Sequence, residues 1–132
     1  VARRLLSWLN EYPTKPAVIQ YEYLEDDQSG MALSLIQGVY KTRRYITGGY
    51  QAACQFKIIY RLQAAGNNTR LAADETLNAL ADWAATRQDR PDLGGGRTVT
   101  RIVSDSRSAL FGRYENGDED HQILMTMNYE VI

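Results

Sequence analysis

An unusually long alternation of apolar and polar positions runs from Tyr50 to Gln63, interrupted only by Ala53 and Ile59 on its polar side. Tyr50, Ala52, Cys54, Phe56, Ile58, Tyr60 and Leu62 fall on one side; Gln51, Ala53, Gln55, Lys57, Ile59, Arg61 and Gln63 fall on the other. A period of two over this length predicts a strand with one face on a core and one wetter face. The same period recurs at 121–131, where Ile123, Met125, Met127, Tyr129 and Val131 share a side. It also supports strands near 17–24, 31–37, 40–47, 97–104 and 107–114.

Two segments change the period to that of a helix. In 2–12, Leu5, Trp8, Leu9 and Tyr12 recur at three- and four-residue spacings, and Pro13 and Pro16 end the run. In 70–86, Ala73, Leu77, Leu80, Ala81 and Ala84 form a stripe of mostly small residues, with Trp83 at its border. Such a stripe suits close packing on a sheet. Thr69 is the expected N-cap, and Asp74 and Glu75 fall in the early turns that favour acids.

Turn residues separate these elements. Gly48-Gly49 and Asn116-Gly117 read as hairpin signals, and Gly38 as a bulge or bend. Segment 88–97, with Pro91 and three glycines, reads as a mobile loop. The order is helix, four strands, helix, three strands. Most connections are too short for parallel crossovers. The expected fold is therefore α+β, a mainly antiparallel β-sheet with two helices packed against it, in one domain over 1–132. The alternation leaves open whether the strands form one sheet or two.

Composition narrows the function classes. The chain has 132 residues and a formal net charge of −1, so its overall field gives no reason to expect nucleic acid or a membrane. No apolar run approaches the roughly 18 residues of a membrane helix. No signal peptide is visible, and the chain opens on Val1, so a preceding segment stays open. Cys54 is the sole cysteine. It cannot form an internal disulfide, and its phase in the alternation makes it a buried apolar residue. His121 is the sole histidine, which removes a two-histidine metal site; its expected place is exposed, beside a turn. The acids at Glu25–Asp27 and Glu115–Asp120 read as solvated turns, and the second lacks the spacing of a calcium loop. Neither Gly94–Arg97 nor Gly48-Gly49 matches a phosphate-binding glycine motif. No catalytic residue, cofactor or metal is expected.

Local charge offers one candidate. Lys41, Arg43 and Arg44 precede Gly48-Gly49, and Lys57 and Arg61 follow it. Pairing across the glycines would gather them into a basic patch. Three readings stay open for it: solvated surface, subunit contact or nucleic-acid contact. Nine tyrosines against two phenylalanines weigh towards interfaces, since tyrosine combines apolar area with a hydrogen-bonding tip.

The chain also resembles a known class of proteins. "RRLLSWLNEY" precedes the early strands, and "YQAACQFKIIYRLQAAGNN" runs into "TRLAADETLNALADWAATR". A glycine-containing loop then leads to "TVTRIVSDSRSALFGRYENGDEDHQILMTMNYEVI". In this order they resemble the small minor capsid or tail-completion proteins of long-tailed phages, close in type to tail terminators. The resemblance implies a non-enzymatic virion part that assembles with itself into a ring, commonly a hexamer. Such a ring ends the tail tube and helps join the head. The implied partners are further copies of the chain, the tail tube protein and the head-tail connector protein, with transient non-specific contact to phage DNA and none to a membrane. The implied location is the virion, and the host cytoplasm during assembly. Lys41, Arg43, Arg44, Lys57, Arg61, Asp118, Glu119 and Asp120 are the candidate interface or lumen contacts. A head-tail connector or other minor capsid component is the alternative within the particle. A small hydrolase with an unrecognised acidic site is the alternative outside it.

Overall fold

A computed structural model describes residues 2–13, 18–22, 30–36, 40–44, 48–63, 66–114 and 117–131, with the side chains of 40–44 outside that description. The elements in chain order are α1 (Ala2–Leu9), β1 (Ile19–Tyr21), β2 (Gly30–Leu35), β3 (Tyr40–Arg44), β4 (Tyr50–Gln63), α2 (Asn67–Thr86), β5 (Arg97–Ser104), β6 (Ala109–Arg113) and β7 (Asp118–Val131). All seven strands join one sheet, which settles the question of one sheet or two.

The frame is the antiparallel pair β4–β7, in register from Tyr50↔Val131 to Gln63↔Asp118. β2 and β3 share the outer edge of β4, β2 beside its later half and β3 beside its start. β5 and β6 divide the outer edge of β7 in the same way. β1 extends the sheet beyond β2 in parallel, Ile19 against Met31. That is the one parallel pair among the described strands, and the sheet is mainly antiparallel as expected. A three-residue edge strand asks the chain to return only about 10 Å, well within the reach of the eight residues between the two strands. Glu22 closes the end of β1 by bonding Ser34 Oγ and the Leu35 amide.

The core lies on the face where the β4 alternation predicts it. Ala52, Cys54, Phe56 and Ile58 are buried, as are Ile123, Met125, Met127 and Tyr129 opposite them. Burial pushes the Cys54 thiol pKa up, which keeps it protonated and inert. The α2 stripe Ala73, Leu77, Leu80, Ala81 and Ala84 closes over this face. Its alanines permit the close approach that the sequence suggests.

α2 begins at Asn67, two residues before the expected Thr69 cap, and its N-terminal boundary residue Gly66 supplies no capping side chain. Packing and the Arg70 contacts described below hold this end instead. Leu5, Trp8 and Leu9 of α1 are buried in the same core. The Trp8 and Trp83 rings lie 5.0 Å apart. Asn10 turns back from the end of α1 to β1: its amide donates to the Ile19 carbonyl and its oxygen accepts from the Ile19 N–H.

Segment 88–97 is tied down rather than loose. Trp8 Nε1 donates to the Asp89 carbonyl, and Pro91 and Leu93 are buried. Glycine remains necessary there, because Gly94, Gly95 and Gly96 all have positive φ. Gly48 and Gly117 also have positive φ beside the β3–β4 and β6–β7 connections, consistent with the hairpin signals; residues 45–47, 115 and 116, like Gly38, lie outside the described residues.

Phe56→Ala is expected to cost about 3–5 kcal/mol, read as a lower denaturant midpoint at unchanged m-value. A loss under about 1 kcal/mol would contradict the placement of Phe56 at the centre of the core.

Candidate interaction site

β7 starts three residues earlier than its apolar alternation suggests, and this relocates the acidic cluster. Asp118, Glu119, Asp120 and His121 belong to the strand and are all buried. The expectation of a solvated acidic turn and an exposed histidine is thus corrected at these positions. The physical cause is the long β4 edge, which pairs with β7 as far as Asp118. The two-residue period then sends Glu119 and His121 towards α2, and Asp118 and Asp120 to the opposite face.

On the face away from the helices, Arg61 and Asp120 are direct cross-strand partners. Arg61 Nε donates to Asp120 Oδ1 at 2.8 Å and Nη2 to Oδ2 at 3.1 Å, a two-pronged pair. Tyr114 Oη donates to Asp120 Oδ2 at 2.7 Å and accepts from Arg61 Nη2 at 3.0 Å. The Arg61 guanidinium also lies over the Tyr114 ring. The bond to Asp120 pushes the Tyr114 hydroxyl pKa up, burial adds to that, and Arg61 opposes it. The same carboxylate raises the pKa of Arg61. At neutral pH the Tyr114 hydroxyl stays protonated, so the triad is one ion pair closed by a neutral hydroxyl.

On the helix face, Arg70 of α2 grips Glu119, with Nε at 2.9 and 3.0 Å from the two oxygens and Nη2 at 2.8 Å from Oε1. Arg113 Nε stands 3.2 Å from Oε1. Burial alone would raise the pKa of Glu119; Arg70, then His121 and Arg113, outweigh it and hold the carboxyl below its ordinary value. One turn along α2, Asp74 Oδ1 meets His121 Nδ1 at 2.8 Å and accepts from Ser108 Oγ at 2.7 Å. Asn78 Oδ1 accepts from the Ser108 amide. A cavity of about 240 Å³ opens beside this corner, lined by Arg70, Arg113, Tyr114, Gly117, Asp118 and Glu119.

Serine, histidine and aspartate meet here, but in an order unsuited to nucleophilic catalysis. The hydroxyl is bonded to the carboxylate, not to the imidazole that would have to take its proton. Both Asp74 bonds tie α2 to the sheet. Among the described residues, no group of three His, Cys, Asp or Glu side chains is arranged to hold a metal ion.

The basic cluster is divided by register. Lys41, Arg43 and Arg44 lie opposite Ala52, Gln51 and Tyr50. Lys57 is five residues further along β4, about 17 Å away, and Arg61 about 30 Å. Lys57 Nζ lies 5.3 Å from the centre of the Phe111 ring, and Arg61 is committed to Asp120. The expected single patch therefore does not form: pairing beside Gly48-Gly49 engages only the first four residues of β4. Arg70, Asp74, Ser108, Arg113 and Tyr114 complete the corner, although none is prominent in the sequence. The available signal is the polar row Arg70, Asp74, Asn78, spaced at four residues along α2 beside its alanine stripe.

No protein-family model matches the chain, and no curated protein matches its sequence. Among solved structures, a chain in the virion of a native gene transfer agent particle matches with a TM-score of 0.56 and 17% sequence identity, over 96% of this chain and 84% of that one. At that identity the likeness is one of fold.

The lowered pKa of Glu119 has a defined sign. Its contribution to stability is full above the unfolded-state value, about 4.3, and is lost as pH falls through the lower folded-state value. Glu119→Gln is expected to cost about 1–3 kcal/mol at pH 7 and to flatten the loss of stability on acidification below that value. Urea titrations at neutral and acid pH check this; parallel pH profiles for the two proteins would refute it.

Proposed function

We propose that the chain, as one domain over 1–132, is a non-enzymatic structural protein of a phage-type virion. It self-assembles into a ring at the tail end, where it terminates the tail tube and contributes to head-tail joining. The observation that carries this reading is the fold shared with a gene transfer agent virion chain over 96% of the sequence. The ordered sequence resemblance to tail-completion proteins points the same way. A ring requires only a surface that repeats around an axis, with no chemistry in the subunit. The proposed partners are further copies in a hexamer, the tail tube protein and the head-tail connector protein. The proposed location is the virion, reached from the host cytoplasm.

The buried corner supports a structural role over a hydrolytic one. Asp120 is held by Arg61 and Tyr114, Glu119 by Arg70 and Arg113, and Asp74 by Ser108 and His121. These three acids are each engaged in joining elements. Arg61, Asp118, Glu119 and Asp120 would then act in assembly by fixing the β6–β7 corner. Lys41, Arg43 and Arg44 on β3 are the proposed direct contacts, with an acidic surface of a neighbour or with DNA in the lumen. Lys57, beside Phe111, is a second.

Native mass spectrometry with negative-stain microscopy tests the reading. The expected result is a closed ring of identical subunits with a central hole that binds the end of purified tail tubes. A monomer that neither assembles nor binds tubes would overturn it. Arg43→Glu with Arg44→Glu is expected to weaken ring or tube association; unchanged assembly, tube binding and DNA interaction would remove β3 from the functional account.

A further inference from the structure

Large apolar side chains exposed among the described residues gather at two places. Val18, Tyr21 and Ile36 lie at the β1–β2 edge, and Leu110, Phe111 and Tyr114 at the β6 edge. Leu71, 59% exposed, belongs with the second group. It shares a helix face with Asp74 and Asn78, both of which bond Ser108, two residues before Leu110. An exposed apolar edge strand invites a partner unless it is covered.

The register relates the two places. Ile19 pairs with Met31, Met31 with Tyr60, Tyr60 with His121, and His121 with Leu110. This is one straight row across five strands, about 19 Å from β1 to β6. Partners in a row share a face, so Leu110 lies on the helix side of the sheet, as does Tyr21, two residues from Ile19. The two edges therefore present apolar groups at the same level, on the same face, and in opposite directions.

Their shapes differ in a complementary sense. Beside Tyr21 is a groove of about 370 Å³ between α1 and β1, lined by Ala2, Arg3, Leu6 and Tyr21. At the other end Leu110 projects from a strand whose bulge, between Leu110 and Gly112, turns Phe111 to the opposite face over Lys57. The fit is one of shape and apolar area: Arg107 before β6 and Arg113 at its end pair with Asp82 and Glu119 of the same chain, and Arg3 at the groove opposes the charge of Glu22 after Tyr21, so charge does not select the contact. The Ile19 N–H and carbonyl are already taken by Asn10, so side chains rather than strand addition must make the joint there.

We propose that the Leu110 edge of one copy seats in the Leu6–Tyr21 groove of the next, a head-to-tail contact between opposite ends of the sheet. This rests on the reading that the chain assembles with itself, and it names the surfaces. Each copy keeps one free edge of each kind, so the contact propagates until the rotation closes it.

The test uses the full chain and two variants, Leu110→Asp and Tyr21→Asp, with folding checked by circular dichroism and thermal melting. Each alone is expected to weaken self-association at least about tenfold. Mixed in equal amounts, they retain one intact edge and one intact groove between them, and are expected to form a 1:1 dimer of twice 15.0 kDa and nothing larger. A double variant, Leu110→Cys with Tyr21→Cys, is expected to give a ladder of covalent multimers on oxidation, since the native Cys54 is buried. Rings that form unchanged in both variants, or no dimer in the mixture and no ladder, would overturn the contact and leave the ring reading standing. Open filaments blocked by the variants would overturn ring closure and leave the contact standing. A wild-type chain that is monomeric at every concentration would overturn both.

Discussion

Residues 50–63 and 118–131 run side by side along their whole length, and every other element is placed by its relation to that pair. β2 and β3 have positions because β4 is long enough to carry both on one edge, and β5 and β6 because β7 is equally long. α2 packs where the two strands present a continuous apolar floor from Phe56 and Ile58 to Met125 and Met127. A frame of this kind is sensitive to register, since a slip of one residue exchanges the two faces of a strand.

The ion pairs at the β6–β7 corner guard that register. Asp120 meets Arg61 on one face of β7, while Glu119 meets Arg70 on the other. Shifting β7 by one position would send each carboxylate to the face where the other's partner stands. Buried carboxylates that lose their partners are strongly destabilising, whereas well-paired ones contribute little net stability. The corner thus does more to exclude the wrong alignment than to stabilise the right one. The same alignment brings the apolar ends of the sheet into one row.

Much of this architecture is legible in the sequence. The β4 alternation, the α2 stripe and the apolar face of β7 name the core residues almost one for one, because a period maintained over ten or more residues overrides local accidents. The failures fall where polar residues carry the pattern. Glu119 and His121 are in phase with Ile123 and Met125, yet their chemistry reads as a turn. Only the three-dimensional positions of Arg70 and Arg113 beside Glu119, and of Asp74 beside His121, make their burial tolerable. The basic residues fail for a related reason. Proximity in sequence suggests one patch, but a fourteen-residue strand spreads its own side chains over roughly 45 Å. The parallel β1 was hidden by its brevity, and the expected Thr69 cap by the absence of any side-chain cap at all.

The position of β7 in the chain has a consequence for the order of events during synthesis. β4 leaves the ribosome early, but its partner follows α2, β5 and β6. Until residues 118–131 emerge, one whole edge of β4 lacks its strand, and half the floor beneath α2 is missing. Pairings between such distant segments form late, because a long stretch of chain must first be closed into a loop. β6 can take its place only on β7, so the apolar edge it carries is created at the same moment as the finished sheet. A nascent chain therefore has no completed β6 edge to present before its own sheet is finished.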